Sequence, residues 1–132
     1  MNSPPSRRDL ELTHVFGSAF GLGDFLCEED LFYNSLCSDL CDALRLNILE
    51  IRKHSFDPHG FTLLALLKES HMSFHTWPEH ECVFFDLFTC SDLNRDVLSS
   101  LIRGRFHEAC PSAVVELQYF DRSFNGLREL YF

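Results

Sequence analysis

Positive charge is scarce in this chain: 11 Lys and Arg stand against 20 Asp and Glu, for a formal net charge of -9 and a pI of about 5.1. Such a surface repels polyanions, so nucleic acid and anionic membranes are excluded as partners, while a small cationic substrate is drawn in. Long apolar runs are missing too. Residues 1–9 are polar, with Pro4, Pro5, Arg7 and Arg8, and the residues after them offer neither a signal-peptide core nor a membrane span, so a cytoplasmic protein is expected. No cysteine pair has CxxC spacing. Cys37 and Cys41 lie four apart, but no second pair completes a zinc site, and no metal is expected. Without a secretion signal, all 6 cysteines read as reduced thiols.

What the chain does have is enough length for one domain: 132 residues, 45% hydrophobic and 23% charged. Its 14 Phe are a heavy aromatic load that must line a core or an interface. Residues 12–20 (LTHVFGSAF) predict a strand, ended by Gly21-Leu22-Gly23-Asp24. Over residues 28–44, Leu31, Phe32, Leu36, Leu40, Ala43 and Leu44 recur at helical spacing behind Glu28, Glu29 and Asp30, which predicts a single amphipathic helix with acids at its N-terminus. Residues 47–54 and 61–67 predict two strands divided by the turn Asp57-Pro58-His59-Gly60; 71–77 and 82–89 predict two more. In residues 71–77, His71, Ser73 and His75 alternate with Met72, Phe74 and Thr76, giving one polar face.

A second helix over 94–107 and a last strand over 113–120 complete the order β-α-β-β-β-β-α-β, with 121–132 left unassigned. That order predicts an α+β fold: a two-layer α/β sandwich whose mostly antiparallel sheet carries two helices on one face.

Residues 68–90 (KESHMSFHTWPEHECVFFDLFTC) hold Glu-Ser-His, then Ser-x-His-Thr-Trp-Pro-Glu, then Asp-Leu-Phe-Thr-Cys. Taken singly, Ser70 reads as a turn serine and Cys90 as a packing thiol. Together these groups resemble the core signature of the prokaryotic-type S-adenosylmethionine decarboxylase proenzymes. Weaker resemblance runs outward through His54-x-Phe56-x-Pro58-x-Gly60 to the strand around His14. Decarboxylating an amino acid requires an electron sink that no natural side chain supplies, so an enzyme borrows pyridoxal phosphate or builds a carbonyl.

The resemblance implies the second route, without pyridoxal phosphate or metal. Ser70 attacks the Glu69 carbonyl, the chain breaks into 1–69 and 70–132, and Ser70 becomes a pyruvoyl group that forms a Schiff base with the substrate amine. His75 is implied as the base assisting ester breakdown and Thr62, where the family usually has serine, as the hydroxyl that supports processing by stabilising the oxyanion. Cys90 is implied as the proton donor, and Phe56, Trp77 and Glu79 as substrate contacts. The expected activity is S-adenosylmethionine decarboxylation for spermidine synthesis, in a homodimer with sites shared between or near subunits.

Two departures bear on the substrate. Ser91-Asp92 stand where the family typically continues with glycine, and His80-Glu81-Cys82-Val83 stand where it has Tyr-Gly-Tyr-Ala. Relatives on this scaffold decarboxylate L-ornithine or L-arginine, so a basic amino-acid decarboxylase is one alternative and a non-processing, non-enzymatic homologue another. Strict alternation puts Ser70 and His75 on opposite strand faces, so contact between them requires a bend or bulge there.

Overall fold

The computed structural model describes residues 12–123. Six strands form one sheet, in the order β2-β3-β4-β5-β1-β6, and every neighbouring pair is antiparallel. The strands are β1 (Leu12–Phe20), β2 (Ile48–Ser55), β3 (Phe61–Leu67), β4 (Ser70–Trp77), β5 (Cys82–Thr89) and β6 (Val114–Arg122). Three helices accompany them: α1 (Asp24–Glu28), α2 (Asp30–Leu44) and α3 (Arg95–Ala109), with a 3-10 turn at Pro78–His80. This is the α+β sandwich that the element order predicts.

Alternation decides which strand residues meet the helices. Leu63, Ala65 and Leu67 of β3, Met72 and Phe74 of β4, and Phe85 and Leu87 of β5 point into the core. They meet Tyr33, Leu36 and Leu40 of α2 and Leu98, Ile102 and Phe106 of α3. Tyr33 packs its ring against Phe61, Phe74 and Phe106 at 5.4–6.2 Å, joining both layers. Fully burying side chains of this size contributes about 1.5–3 kcal/mol each, enough for the pattern to set the strand register.

The expected helix over 28–44 is α2, which begins at Asp30, and a short helix that was not expected, α1, precedes it. Glu29 takes φ -93° and ψ 86°, which ends α1 and starts α2 at Asp30. The added short helix buries Leu26 and Cys27, and the total is three helices where two were expected. Asn94 caps α3 by accepting the Val97 N–H at 3.1 Å, and the last strand runs on to Arg122.

The opposite sheet face carries no helix among the described residues. Phe16, Leu64, Leu66 and Phe84 stand 42–50% exposed there. The Phe excess therefore has two destinations: Phe61, Phe74, Phe85 and Phe106 fill the core, whereas Phe16 and Phe84 lie on the open face. No helix of the described residues is long and apolar enough to cross a membrane.

Candidate active site

Two residues, Lys68 and Glu69, turn β3 into β4, with Leu67 paired to Ser70. So tight a turn forces Glu69 to φ +63°, the left-handed region that costs an L-residue with a side chain about 1–2 kcal/mol. Ser70 follows at the first position of β4, buried at 8% exposure. Its Oγ donates to Thr89 Oγ1 at 2.9 Å, and Thr89 Oγ1 also accepts the Ser91 N–H at 3.0 Å. Thr89 is fully buried. Beside this pair the Cys90 Sγ lies 3.5 Å from Glu69 Oε1 and 3.7 Å from the Glu69 carbonyl oxygen. Desolvation first, and then the Glu69 carboxylate, push the Cys90 thiol above its ordinary range. Cys90 therefore holds its proton at neutral pH.

A second group gathers at the other end of the β3–β4 pair, where Thr62 faces His75. Thr62 Oγ1 and His75 Nδ1 are 2.9 Å apart. These two line a cavity of about 540 Å³ together with Phe56, Asp57, Pro58, His59, Thr76, Trp77 and Glu79. Its walls are aromatic and acidic, a combination that attracts cations. The loop that carries Phe56 is held from α1: the Gly60 N–H lies 3.2 Å from both carboxylate oxygens of Glu28. Gly60 takes φ +91°, and a Cβ there would come within 3.1 Å of the Thr76 carbonyl oxygen.

The eight candidate residues thus divide. Glu69, Ser70 and Cys90 form one group. Phe56, Thr62, His75, Trp77 and Glu79 form the other. Register runs unbroken from Ser70 to His75 against both neighbouring strands, so no bulge turns His75 toward Ser70. Five residues of strand separate their Cα atoms by roughly 16 Å, and the side chains leave opposite faces.

Comparison with known proteins supplies the family. A model described as S-adenosylmethionine decarboxylase matches residues 13–123. The chain belongs to that family. An S-adenosylmethionine decarboxylase proenzyme of Archaeoglobus fulgidus is 33% identical over 82 residues, covering 62% of this chain and 73% of that protein. One from Synechococcus sp. (strain WH7803) is 33% identical over 102 residues, covering 69% and 80%. An arginine decarboxylase proenzyme of Caldivirga maquilingensis is 29% identical over 85 residues, covering 62% and 63%. The crystal structure of the adenosylmethionine decarboxylase from Aquifex aeolicus matches with a TM-score of 0.68 at 23% identity, over 87% of this chain and 92% of that one. That last likeness speaks for the fold.

Seen as a member of the S-adenosylmethionine decarboxylase family, the chain shows residues that sequence reasoning passes over. Thr89 stands inside the Asp-Leu-Phe-Thr-Cys motif, yet only pairing of β4 with β5 sets it opposite Ser70. Asp57 and His59 belong to a turn sequence, which gives no sign that they line the cavity. One departure from the family pattern gains a physical meaning: Glu81, in place of the usual glycine, sits at φ +52°. Glycine holds that conformation without the Cβ penalty.

Proposed function

We propose that this chain is a proenzyme that cleaves itself between Glu69 and Ser70 and then decarboxylates S-adenosylmethionine, yielding the aminopropyl donor for spermidine. The observation that carries the reading is the Ser70 hydroxyl held on Thr89, directly after a left-handed Glu69 and beside Cys90, whose Sγ lies 3.5 Å from Glu69 Oε1. In cleavage, Ser70 Oγ adds to the Glu69 carbonyl carbon and the amide becomes an ester as the Ser70 nitrogen leaves that carbon. Loss of the Ser70 Cα proton then expels Glu69 as a free carboxylate, and water replaces the nitrogen, which departs as ammonia. Breaking the turn also releases the strain at Glu69, which favours the forward direction.

Family membership implies the product, a pyruvoyl group at residue 70, and the residues present fit it: the precursor serine is in place, buried and oriented. Once formed, that group supplies the electron sink that decarboxylation needs. The chain's own residues do the rest. Phe56 and Trp77 offer aromatic faces to a sulfonium, an attraction worth about 0.5–2 kcal/mol. Glu79 and Asp57 add negative charge beside it. Cys90 carries the proton the product carbon requires.

The two residue groups cannot meet within one chain, so the reading includes a homodimer in which a second copy supplies Phe56, Thr62, His75, Trp77 and Glu79 to the Ser70 of the first. The open sheet face with Phe16, Leu64, Leu66 and Phe84 supports such a contact. Six free thiols suit the cytoplasm, where we place the enzyme.

Intact mass tests the cleavage. Wild-type protein should give two chains and respond to carbonyl reagents, whereas Ser70→Ala should stay one 15.3 kDa chain without activity. A wild-type chain that never cleaves overturns the reading and selects the non-enzymatic homologue. Asp57 beside Glu79 in the cavity favours a second reading, a decarboxylase of L-arginine or L-ornithine, whose side chains are cationic. Release of carbon dioxide from each of the three substrates by processed protein decides between them.

A further inference from the structure

We propose that His14, His71 and Asp86 form a site for a divalent transition-metal ion, of the kind zinc occupies, on the open face of the sheet. The three come from β1, β4 and β5, and their ligand atoms lie within 4.8 Å of one another. His14 Nε2 is 2.8 Å from Asp86 Oδ2, and His71 Nε2 is 3.4 Å from the same oxygen. Tetrahedral bonds of ~2.0–2.1 Å space ligand atoms by about 3.3 Å, so an ion fits between these three with only small side-chain shifts. The sequence hides the set, because Asp86 lies 72 positions from His14 and 15 from His71.

What surrounds the three residues is built for ligation. Ser73 donates to Asp86 Oδ1, which fixes the carboxylate and turns Oδ2 toward the two imidazoles. The His14 ring stacks on Phe16 at 4.2 Å and the His71 ring on Phe88 at 5.8 Å, so both Nε2 atoms are held in place. In the single chain the side chains are 18% exposed for His14, 21% for Asp86 and 41% for His71, so the site opens onto the same sheet face that the proposed dimer contact uses. Two imidazoles and one carboxylate prefer zinc, cobalt or nickel over magnesium or calcium, and three protein ligands leave a fourth position for water.

The placement also suggests a task, and this part rests on the proposed cleavage. His14 belongs to residues 1–69, whereas His71 and Asp86 belong to 70–132. An ion held by all three would fasten the two chains to each other once the peptide bond between them is gone.

Metal-stripped full-length protein titrated with Co²⁺ and with Zn²⁺ tests the site, in both the wild type and the Ser70→Ala precursor. The expected result is one ion per protomer in each, cleaved or not, with visible d–d absorption from Co²⁺ and no thiolate charge-transfer band. The H14Q/H71Q double variant should bind at least tenfold more weakly. Should that variant not fold, H71Q alone, at the most exposed ligand, must still lose tenfold in affinity. Absence of the Co²⁺ spectrum, or an undiminished one in these variants, overturns the site. Binding by Ser70→Ala separates the two proposals, since it requires the ligands and not the cleavage.

Discussion

Thr89 is the side chain on which the cleavage chemistry turns. Its Oγ1 accepts from Ser70 Oγ and from the Ser91 N–H, so one buried hydroxyl fixes the nucleophile and anchors the strand end behind it. A net hydrogen bond is worth about 0.5–1.5 kcal/mol, so Thr89→Val, which keeps the shape and removes the acceptor, should slow processing roughly three- to tenfold. Thr89→Ser should process near the wild-type rate; a time course of intact mass measures both. Cys90 makes a different prediction, about turnover in the mature protein. A proton donor works only while protonated, and desolvation, the largest cause, raises this thiol above the ordinary value of ~8.5 in the intact chain. Carbon dioxide release should therefore hold through neutrality and fall only at pH above that ordinary value. Cys90→Ala should still cleave at Ser70 yet lose about 10²-fold or more in turnover.

Strands were the most legible elements, because one face of the sheet is buried and burial writes itself into alternation. Met72 and Phe74 face the core while His71, Ser73 and His75 do not, and that pattern sits openly in the sequence HMSFHTW, whereas the unbroken apolar run FTLLALL of β3 does not say which side chains face inward. The break at Glu29 was not legible. The periodic apolar positions start only at Leu31, after the break, and what organises α1 ahead of it is tertiary: Leu26 and Cys27 are buried, and the Glu28 carboxylate is drawn to the Gly60 N–H. The insertion of β1 between β5 and β6 was equally hidden, since it depends on partners such as Gly17 and Phe85, which pair across the chain. That pair is testable. A Cβ on Gly17 would sit 2.1 Å from the Phe85 ring, which is buried and stacks on Phe106 at 6.0 Å. Gly17→Ala should cost about 1–3 kcal/mol of stability by overpacking, read from urea unfolding with an unchanged slope.

At the level of the assembled protein, the motif does not say how many chains it takes to seat its residues. Glu-Ser-His and Ser-x-His-Thr-Trp-Pro-Glu are continuous in sequence, yet β4 is straight, so Ser70 and His75 stand at opposite ends of one strand. Contiguity in the motif therefore conceals a division in space. If a second copy closes the gap, each half-site is a separable function, and mixed dimers reveal it. A Ser70→Ala chain retains Thr62 and His75 but cannot be cleaved; a His75→Ala chain retains Glu69, Ser70 and Cys90 but lacks the base. Either variant alone should remain unprocessed. Co-expressed with distinguishable tags, they should form mixed dimers in which only the His75→Ala chain is cleaved, since its Ser70 faces the intact His75 of the other copy. Mass spectrometry of the doubly tagged species reads this directly: cleavage confined to the His75→Ala chain supports sites built across subunits, and its absence from purified mixed dimers rejects them.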